Sequence, residues 1–214
     1  MEKIIYAGSF DIFTNGHLYV LKEGLKIAEK VCLLVANNST EKHYFFSLEE
    51  RRDILSKVIK ENNLEDKVII ETCSSEYVST WAEKNNITHM IRGLRGSADF
   101  DSEKILARAN NELIGSIQTL FVILPSNVEF ISSSFVKSLI GPVYWPYKIS
   151  NLIPTAVLEK LCTKYVKDFV SKLDINIDID SLLNFYKIED RSYHNICHIC
   201  NMLSYIGIES ITPE

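Results

Sequence analysis

The sequence predicts an α/β fold in which a Rossmann-like parallel sheet is flanked by helices. Between Lys3 and Leu124, short apolar runs of strand length alternate with amphipathic segments of helix length. This alternation is typical of parallel sheets, because a crossover must separate two parallel strands. Residues of distinctive chemistry follow several of the apolar runs, at the positions where such sheets bind their ligands.

Five apolar runs are predicted to be strands, and four amphipathic segments are predicted to be the helices between them. The predicted strands are Lys3–Ala7, Val31–Ala36, Lys67–Glu71, His89–Ile91 and Thr119–Leu124. The predicted helices are His17–Lys30, Leu48–Asn62, Val78–Asn85 and Asp101–Ile114. Ser47 and Glu50 have the spacing of a capping box, which indicates where the second helix begins.

The pattern changes after about Ile149, where helical segments continue without a strand between them. Thr155–Leu173 predicts a long amphipathic helix, and Ser181–Tyr186 and Tyr193–Ile206 predict two shorter ones. We therefore predict a first domain at residues 1–164 and a short helical appendage at residues 165–214.

Composition excludes several classes of protein. The net charge of −5 is unlike that of a general nucleic-acid binder, so any positive site must be local. No apolar run approaches the roughly 18 residues that span a bilayer, and the first residues do not resemble a signal peptide. Five cysteines, mostly in apolar segments, indicate reduced thiols rather than a disulfide framework. We expect a cytoplasmic protein that binds neither nucleic acid nor membrane.

The segment from Tyr6 to His17 joins the first predicted strand to the first predicted helix and contains two glycines. Free N–H groups and the helix dipole at such a junction favour anions, and Gly8 lets the backbone approach a ligand closely. These features predict a phosphate site with the His17 imidazole at its mouth. The alternative is a glycine-containing turn with a surface histidine.

Other residues suited to phosphate binding follow later strands. Arg92 and Arg95 end the fourth predicted strand beside two glycines, and two guanidinium groups there can bind phosphate oxygens. Lys42 follows the second strand in a polar loop. Three consecutive serines at residues 132–134 open a helix, where hydroxyls can contact a phosphate or a ribose. The alternatives are solvated arginines and an ordinary helix cap.

These segments together resemble the phosphopantetheine adenylyltransferase family over about residues 1–160. The matching elements are Gly-Ser-Phe-Asp and Thr-Asn-Gly-His within residues 8–17, Phe-Ser-Leu-Glu-Glu-Arg at 46–51, Ile-Arg-Gly-Leu-Arg at 91–95, Ala-Asp-Phe at 98–100 and Phe-Ile-Ser-Ser-Ser-Phe-Val-Lys at 130–137. The resemblance implies transfer of the adenylyl group of ATP to 4′-phosphopantetheine, which yields dephospho-coenzyme A and pyrophosphate. It also implies Mg²⁺ as cofactor, coenzyme A as a feedback ligand and a homohexamer.

The resemblance also assigns roles to residues. It implies catalytic roles for His17, Lys42 and Arg92. It implies contacts with 4′-phosphopantetheine from Ser9, Lys42, Val78 and Arg92. It implies contacts with ATP from Ser9, Phe10, His17, Gly93, Leu94, Arg95, Glu103, Val128, Glu129, Phe130, Ile131, Ser132, Ser133 and Ser134.

Two positions depart from the family pattern and leave alternatives open. Tyr77 stands where the family usually has an apolar residue along the pantetheine arm, and Val128 replaces a common tryptophan near the nucleotide. One alternative is a nucleotidyltransferase with a different phosphorylated acceptor. Another is a sensor that binds ATP or coenzyme A and catalyses weakly.

The tail contains a weaker signal. The segment at residues 191–199 resembles the opening motif of HD-type metal-dependent phosphohydrolases, and His194, Cys197 and His198 share one helix face. Fifty residues are too few for the core of that domain. We therefore interpret residues 165–214 as a helical appendage, a truncated HD-like segment at most, and expect no metal. His194 and His198 are the candidate ligands if a metal does bind.

Overall fold

In the computed structural model, which describes residues 1–37, 43–74, 76–114, 117–173, 177–186 and 195–206, five parallel strands form one sheet. The strands are β1 (Lys3–Gly8), β2 (Lys30–Ala36), β3 (Val68–Cys73), β4 (His89–Leu94) and β5 (Gln118–Ile123). Their order across the sheet is β3-β2-β1-β4-β5. This arrangement confirms the predicted α/β fold, and the two central apolar runs, β1 and β2, are buried over most of their length.

The described helices alternate with the strands and then follow one another. They are α1 (Asn15–Ile27), α2 (Leu48–Glu61), α3 (Val78–Lys84), α4 (Ser97–Arg108), α5 (Ser133–Ser138), α6 (Trp145–Ile149), α7 (Thr155–Val170), α8 (Ile179–Phe185) and α9 (Ile196–Ile206). Helix α4 begins four residues before its predicted start and continues as a π-helical turn at Ala109–Ile114. The short helix α6 was not predicted, because five residues are too few to show a helical period.

Helix α2 begins where the capping-box spacing predicts. Ser47 Oγ accepts the Glu50 N–H at 3.1 Å, and Glu50 Oε2 accepts the Ser47 N–H at 3.0 Å. These two bonds satisfy backbone donors that have no partner within the helix.

The chain reverses direction across the sheet at β1. It first builds β2 and β3 on one side of β1, and it then returns to place β4 on the other side. Such a switch point opens a crevice at the carboxyl ends of the two strands, where doubly wound sheets bind ligands. Strands β1 and β4 are in register at Ile5 and Met90. The loops after Gly8 and Leu94 therefore border the same crevice.

The chain divides into two compact units, Met1–Phe135 and Val136–Glu214. In the second unit α7 packs against α9, where the thiols of Cys162 and Cys197 lie 3.7 Å apart. Helix α7 runs without a break through residues 164 and 165. The two units reflect how the chain packs. The predicted boundary between functional domains at residues 164 and 165 stays a prediction. None of the helices in the described ranges combines the length and hydropathy needed to cross a membrane.

Gly93 is a position where β4 meets α1 too closely for any larger residue. A Cβ atom there would lie 2.7 Å from Val20 Cγ2 and 2.8 Å from Leu124 Cδ1, whereas a Cβ at Gly96 would meet nothing within 4 Å. We expect Gly93→Ala to lower the free energy of unfolding by about 1–3 kcal/mol, because the overpacked side chains must move. Gly96→Ala is the matched control and should change it little. Urea unfolding of both variants measures the difference, and equal stabilities would contradict the close packing described here.

Candidate active site

The predicted phosphate-binding residues of the first unit meet at the carboxyl ends of β1 and β4. The loop after β1 leads into α1 and brings Ser9 and His17 to this edge of the sheet. Strand β4 brings Arg92, and the turn after it brings Arg95. The switch point thus collects a hydroxyl, an imidazole and two guanidinium groups in one region.

His17 is held in one orientation by the first turn of α1. The Thr14 N–H donates to His17 Nδ1 at 3.0 Å, and Thr14 Oγ1 accepts the His17 N–H at 3.4 Å. Because Nδ1 accepts a hydrogen bond from a backbone amide, we infer that the proton of the neutral imidazole resides on Nε2. Thr14 is fully buried, so the partner that orients the His17 ring is itself held in place by packing. Nε2 is therefore the ring nitrogen of His17 that can act as an N–H donor.

Aromatic rings and positive charges keep the His17 imidazole neutral. Phe10 packs edge-on to the His17 ring with centroids 5.5 Å apart, and Phe13 lies 5.3 Å away. Burial, followed by the charges of Arg95 and Arg92, lowers the pKa of His17 from its ordinary value of 6.5 to about 4. Burial raises the pKa of the neighbouring Tyr6 phenol, although the charges of Arg92 and Arg95 act in the opposite direction.

Arg92 is bound on two sides. Its Nε donates to Glu103 Oε2 at 2.8 Å and its Nη2 donates to Glu103 Oε1 at 2.6 Å, while Nη1 donates to the Ala7 carbonyl oxygen at 2.8 Å. Burial by itself would lower the pKa of Arg92, but the hydrogen bonds and charge of Glu103 raise it overall. A guanidinium has five N–H groups, so one on each Nη remains for a phosphate.

Arg95 has a similar carboxylate partner on the same helix. Its Nε donates to Asp99 Oδ2 at 2.7 Å and its Nη2 donates to Asp99 Oδ1 at 3.2 Å. Asp99 and Glu103 are four residues apart on α4 and therefore share one helix face. That face orients both arginines.

Glu103 was predicted to contact ATP. Here its carboxylate binds Arg92, and the ATP contact stays a prediction.

Asp11 ties the loop after β1 to the segment before α2. Its carboxylate is buried and accepts the Phe45 N–H at 2.8 Å and the Phe46 N–H at 2.9 Å. Sequence reasoning assigned no role to Asp11, Thr14 or Asp99. Local signals existed for two of them: Thr14 precedes His17 by the three residues of an N-cap contact, and Asp99 follows Arg95 by four residues, the spacing of an i,i+4 ion pair.

The segment at residues 128–134 borders the same loop. Ser133 Oγ donates to the Ile12 carbonyl oxygen at 2.6 Å, and Ser132 Oγ accepts the Phe135 N–H at 3.0 Å. Ile131 is buried and supports the segment, whereas Ser134 is exposed. Val128 is partly buried, and Glu129 and Phe130 are exposed. Two of the three serines predicted to contact ATP thus already form hydrogen bonds within the protein, one to the loop after β1 and one at the start of α5.

The remaining predicted residues are placed in different ways. Phe10 is buried, while Gly93 and Leu94 end β4 beside Arg95. Val78 begins α3 and packs partly buried against the core, whereas the Tyr77 side chain is 65% exposed. Lys42 lies outside the described residues.

Of the two candidate metal ligands in the tail, His194 lies outside the described residues and His198 is on α9. The Asn195 side chain accepts the His198 N–H at 3.3 Å. Within the described ranges, His, Cys, Asp and Glu form no group of three or more that is suited to a metal ion.

Comparison with known proteins gives the family. Residues 5–139 match the cytidylyltransferase-like family. The phosphopantetheine adenylyltransferase of Dictyoglomus thermophilum is 38% identical over 167 residues, which cover 77% of this chain and 96% of that protein. That of Chromobacterium violaceum is 31% identical over 77% of this chain and 98% of the relative. The chain belongs to the phosphopantetheine adenylyltransferase family.

A solved structure agrees with the fold of this family member. The nicotinic acid mononucleotide adenylyltransferase of Plasmodium falciparum, complexed with NaAD, matches with a TM-score of 0.60 over 77% of this chain and 96% of that one. At 16% identity the match supports the architecture alone. As a member of the phosphopantetheine adenylyltransferase family, the chain is a nucleotidyltransferase. The family alignments leave about a quarter of the chain unmatched.

The lowered pKa of His17 makes stability depend on pH in the acid range. Above pH 6.5 the imidazole is neutral in both folded and unfolded chains, whereas between pH 6.5 and 4 the unfolded chain binds the proton more readily. We expect the wild type to lose about 1–3 kcal/mol of stability from this group between pH 7 and 4; the ring's partial exposure to water reduces the effect. His17→Gln should lack that loss. Urea unfolding at several pH values measures the difference, and parallel pH curves would contradict the shift.

Proposed function

We propose that this chain transfers the adenylyl group of ATP to 4′-phosphopantetheine, with dephospho-coenzyme A and pyrophosphate as products. Family membership supports the reaction, and the observation that carries it in this chain is the neutral His17. We assign its Nε2–H donor to the crevice beside Arg92 and Arg95, the arginines whose charges act on the imidazole. Such a group stabilises negative charge that develops on a phosphate without removing a proton.

The proposed reaction needs alignment rather than an activated protein nucleophile. A phosphate oxygen of 4′-phosphopantetheine attacks the α-phosphorus of ATP in line, the new P–O bond forms, and the bond to the β-phosphate oxygen breaks as pyrophosphate leaves. The attacking group is already anionic, so no general base is required. We assign His17 to the α-phosphate, Arg92 and Lys42 to the acceptor phosphate, and Arg95 to the ATP phosphates.

The other substrate contacts follow the family pattern. Ser9 is assigned to both substrates and Val78 to the pantetheine arm. Phe10, Gly93, Leu94, Glu103 and residues 128–134 are assigned to ATP. At the start of α3 the Val78 side chain is partly buried against the core, whereas Tyr77 is largely exposed.

Mg²⁺ is proposed as a companion of ATP rather than as an ion held by the protein. Magnesium in nucleotide sites is bound through one or two carboxylates together with substrate phosphates. Two of the three α4 carboxylates, Asp99 and Glu103, are each hydrogen-bonded to an arginine, and the described residues hold no group of three ligands suited to a metal ion. The described residues therefore do not fit a protein-held magnesium cage, and Mg–ATP is taken as the substrate.

Pyrophosphate release from Mg–ATP, measured with and without 4′-phosphopantetheine, tests the proposed function. We expect release only when the acceptor is present, together with dephospho-coenzyme A identified by mass spectrometry. His17→Ala should lower kcat by about 100-fold or more while changing the Kd of ATP little, because the lost N–H donor acts on the transition state. Turnover with another phosphorylated acceptor alone would support the alternative acceptor. ATP binding without any turnover would support a sensor.

A homo-oligomer is proposed as well, and the family resemblance implies a hexamer. The edge strand β5 and helix α4 expose contiguous apolar side chains: Phe100 and Phe121 have ring centroids 6.5 Å apart, and Ile123 is 80% exposed. Exposed apolar edges of this kind mark interaction surfaces. Light scattering should give six times the mass of one chain, and Ile123→Lys should lower it. The mass of a single chain for the wild type would overturn the proposal.

Three further assignments complete the proposal. Coenzyme A is proposed as a feedback ligand, because it contains the product of the reaction. The cytoplasm is the proposed compartment, where the substrates and the free thiols are both expected. Residues 165–214 are proposed to be a helical appendage, and an origin from an HD-type segment stays a hypothesis.

A further inference from the structure

Arg51 of α2 is buried at the same edge of the sheet, where sequence reasoning assigned it no role. Its side chain is 1% exposed. The guanidinium donates from Nη1 to the Ser9 carbonyl oxygen at 2.8 Å and from Nη2 to Asn37 Oδ1 at 2.6 Å. Weaker bonds of 3.4 Å reach the carbonyl oxygens of Ala36 and Ser47. The guanidinium also lies over the Tyr44 ring, 4.1 Å from its centroid.

Packing alone does not call for an arginine at this position. The oxygens to which Arg51 donates are carbonyl and amide oxygens, which carry no formal charge, and Asp11 acts on it through its charge. Burying a guanidinium among neutral partners is costly, and burial lowers the pKa of Arg51. An apolar side chain of similar volume would fill this space at lower cost. The hydrogen bonds to particular atoms are therefore what distinguishes arginine here.

Those bonds join three segments of the first unit. Ser9 follows β1, Ala36 and Asn37 lie at the end of β2, and Ser47 caps α2. Asp11, in the loop after β1, accepts hydrogen bonds from two backbone N–H groups just before α2, so it joins the same segments from the other side. The loop that carries Ser9 is thus braced from both sides.

We propose that Arg51 is a positioning residue for adenylyl transfer, which holds Ser9 and Asn37 in fixed relative positions at the ends of β1 and β2. The inference rests on the proposed function, in which Ser9 contacts both substrates. In-line attack depends on how precisely the substrates are aligned, and a displacement of about 1 Å can lower a rate about 100-fold. Lysine at this position would keep the charge but lacks the planar fork that reaches separate acceptors.

Arg51→Lys tests the proposal, and Arg52→Lys is the matched control, because Arg52 is the next residue of α2 and is exposed. We expect R51K to lower kcat about 100-fold while the KM for ATP changes only a few-fold. Hydrogen exchange measured by mass spectrometry should become faster in a peptide covering residues 8–14 and stay unchanged in peptides from β5. R52K should match the wild type in every measurement.

The two readouts separate this proposal from the proposed function. If the wild type forms no dephospho-coenzyme A, the proposed function fails, and the exchange rate of residues 8–14 still reports whether Arg51 holds the loop. Unchanged exchange in R51K overturns the proposal. A loss of kcat accounted for entirely by unfolded protein also overturns it, since Arg51 would then be a structural residue only.

Asn37→Ala provides a second test if R51K does not fold. This variant removes one acceptor of the Arg51 guanidinium from a partly exposed position and leaves the buried side chain intact. We expect kcat to fall about 10-fold, in line with one hydrogen bond to a charged group. A wild-type kcat in folded N37A would overturn the proposal.

Discussion

The return of the chain across β1 is the constraint on which the rest of the site depends. With β2 and β3 on one side of β1 and β4 on the other, the segments after β1 and β4 leave the sheet beside a shared crevice. Two residues beyond the Ile5–Met90 register pair, the Arg92 guanidinium donates to the Ala7 carbonyl oxygen. Strand pairing and this side-chain bond together fix the distance between the end of β1, which leads to His17 on α1, and the end of β4, which carries Arg92.

The site concentrates positive charge in a chain whose net charge is −5. Two carboxylates of α4 hold the arginines, and burial together with the charges of these arginines lowers the pKa of His17. The imidazole is therefore a neutral donor, and the guanidinium groups carry the charge that phosphates require. This division of roles suits a reaction in which anionic groups must be brought together and no proton needs to be removed.

Local patterns made some features predictable. The capping box of Ser47 and Glu50 was readable because both partners lie within one helical turn. The start of α4 at Ser97 could not be predicted in this way, since neither a capping hydrogen bond nor a clear apolar period marks it. The partners of Arg51 and Asp11 were beyond sequence reasoning for another reason. Arg51 binds Ser9 from 42 residues away, and Asp11 binds Phe46 from 35 residues away. No short-range pattern encodes such pairs.

The sequence by itself determined the alternation of strands and helices, the phosphate-binding residue types at the strand ends, and the resemblance to an adenylyltransferase family. Hydrophobic periodicity and chain order set these, and both are local properties of the sequence. Only the tertiary structure decided which distant groups act together, as Glu103 does with Arg92 and Arg51 does with Ser9. An ion pair and a backbone brace each depend on distances of about 3 Å. Those distances exist only after the parallel strands have brought separate segments to one edge of the sheet.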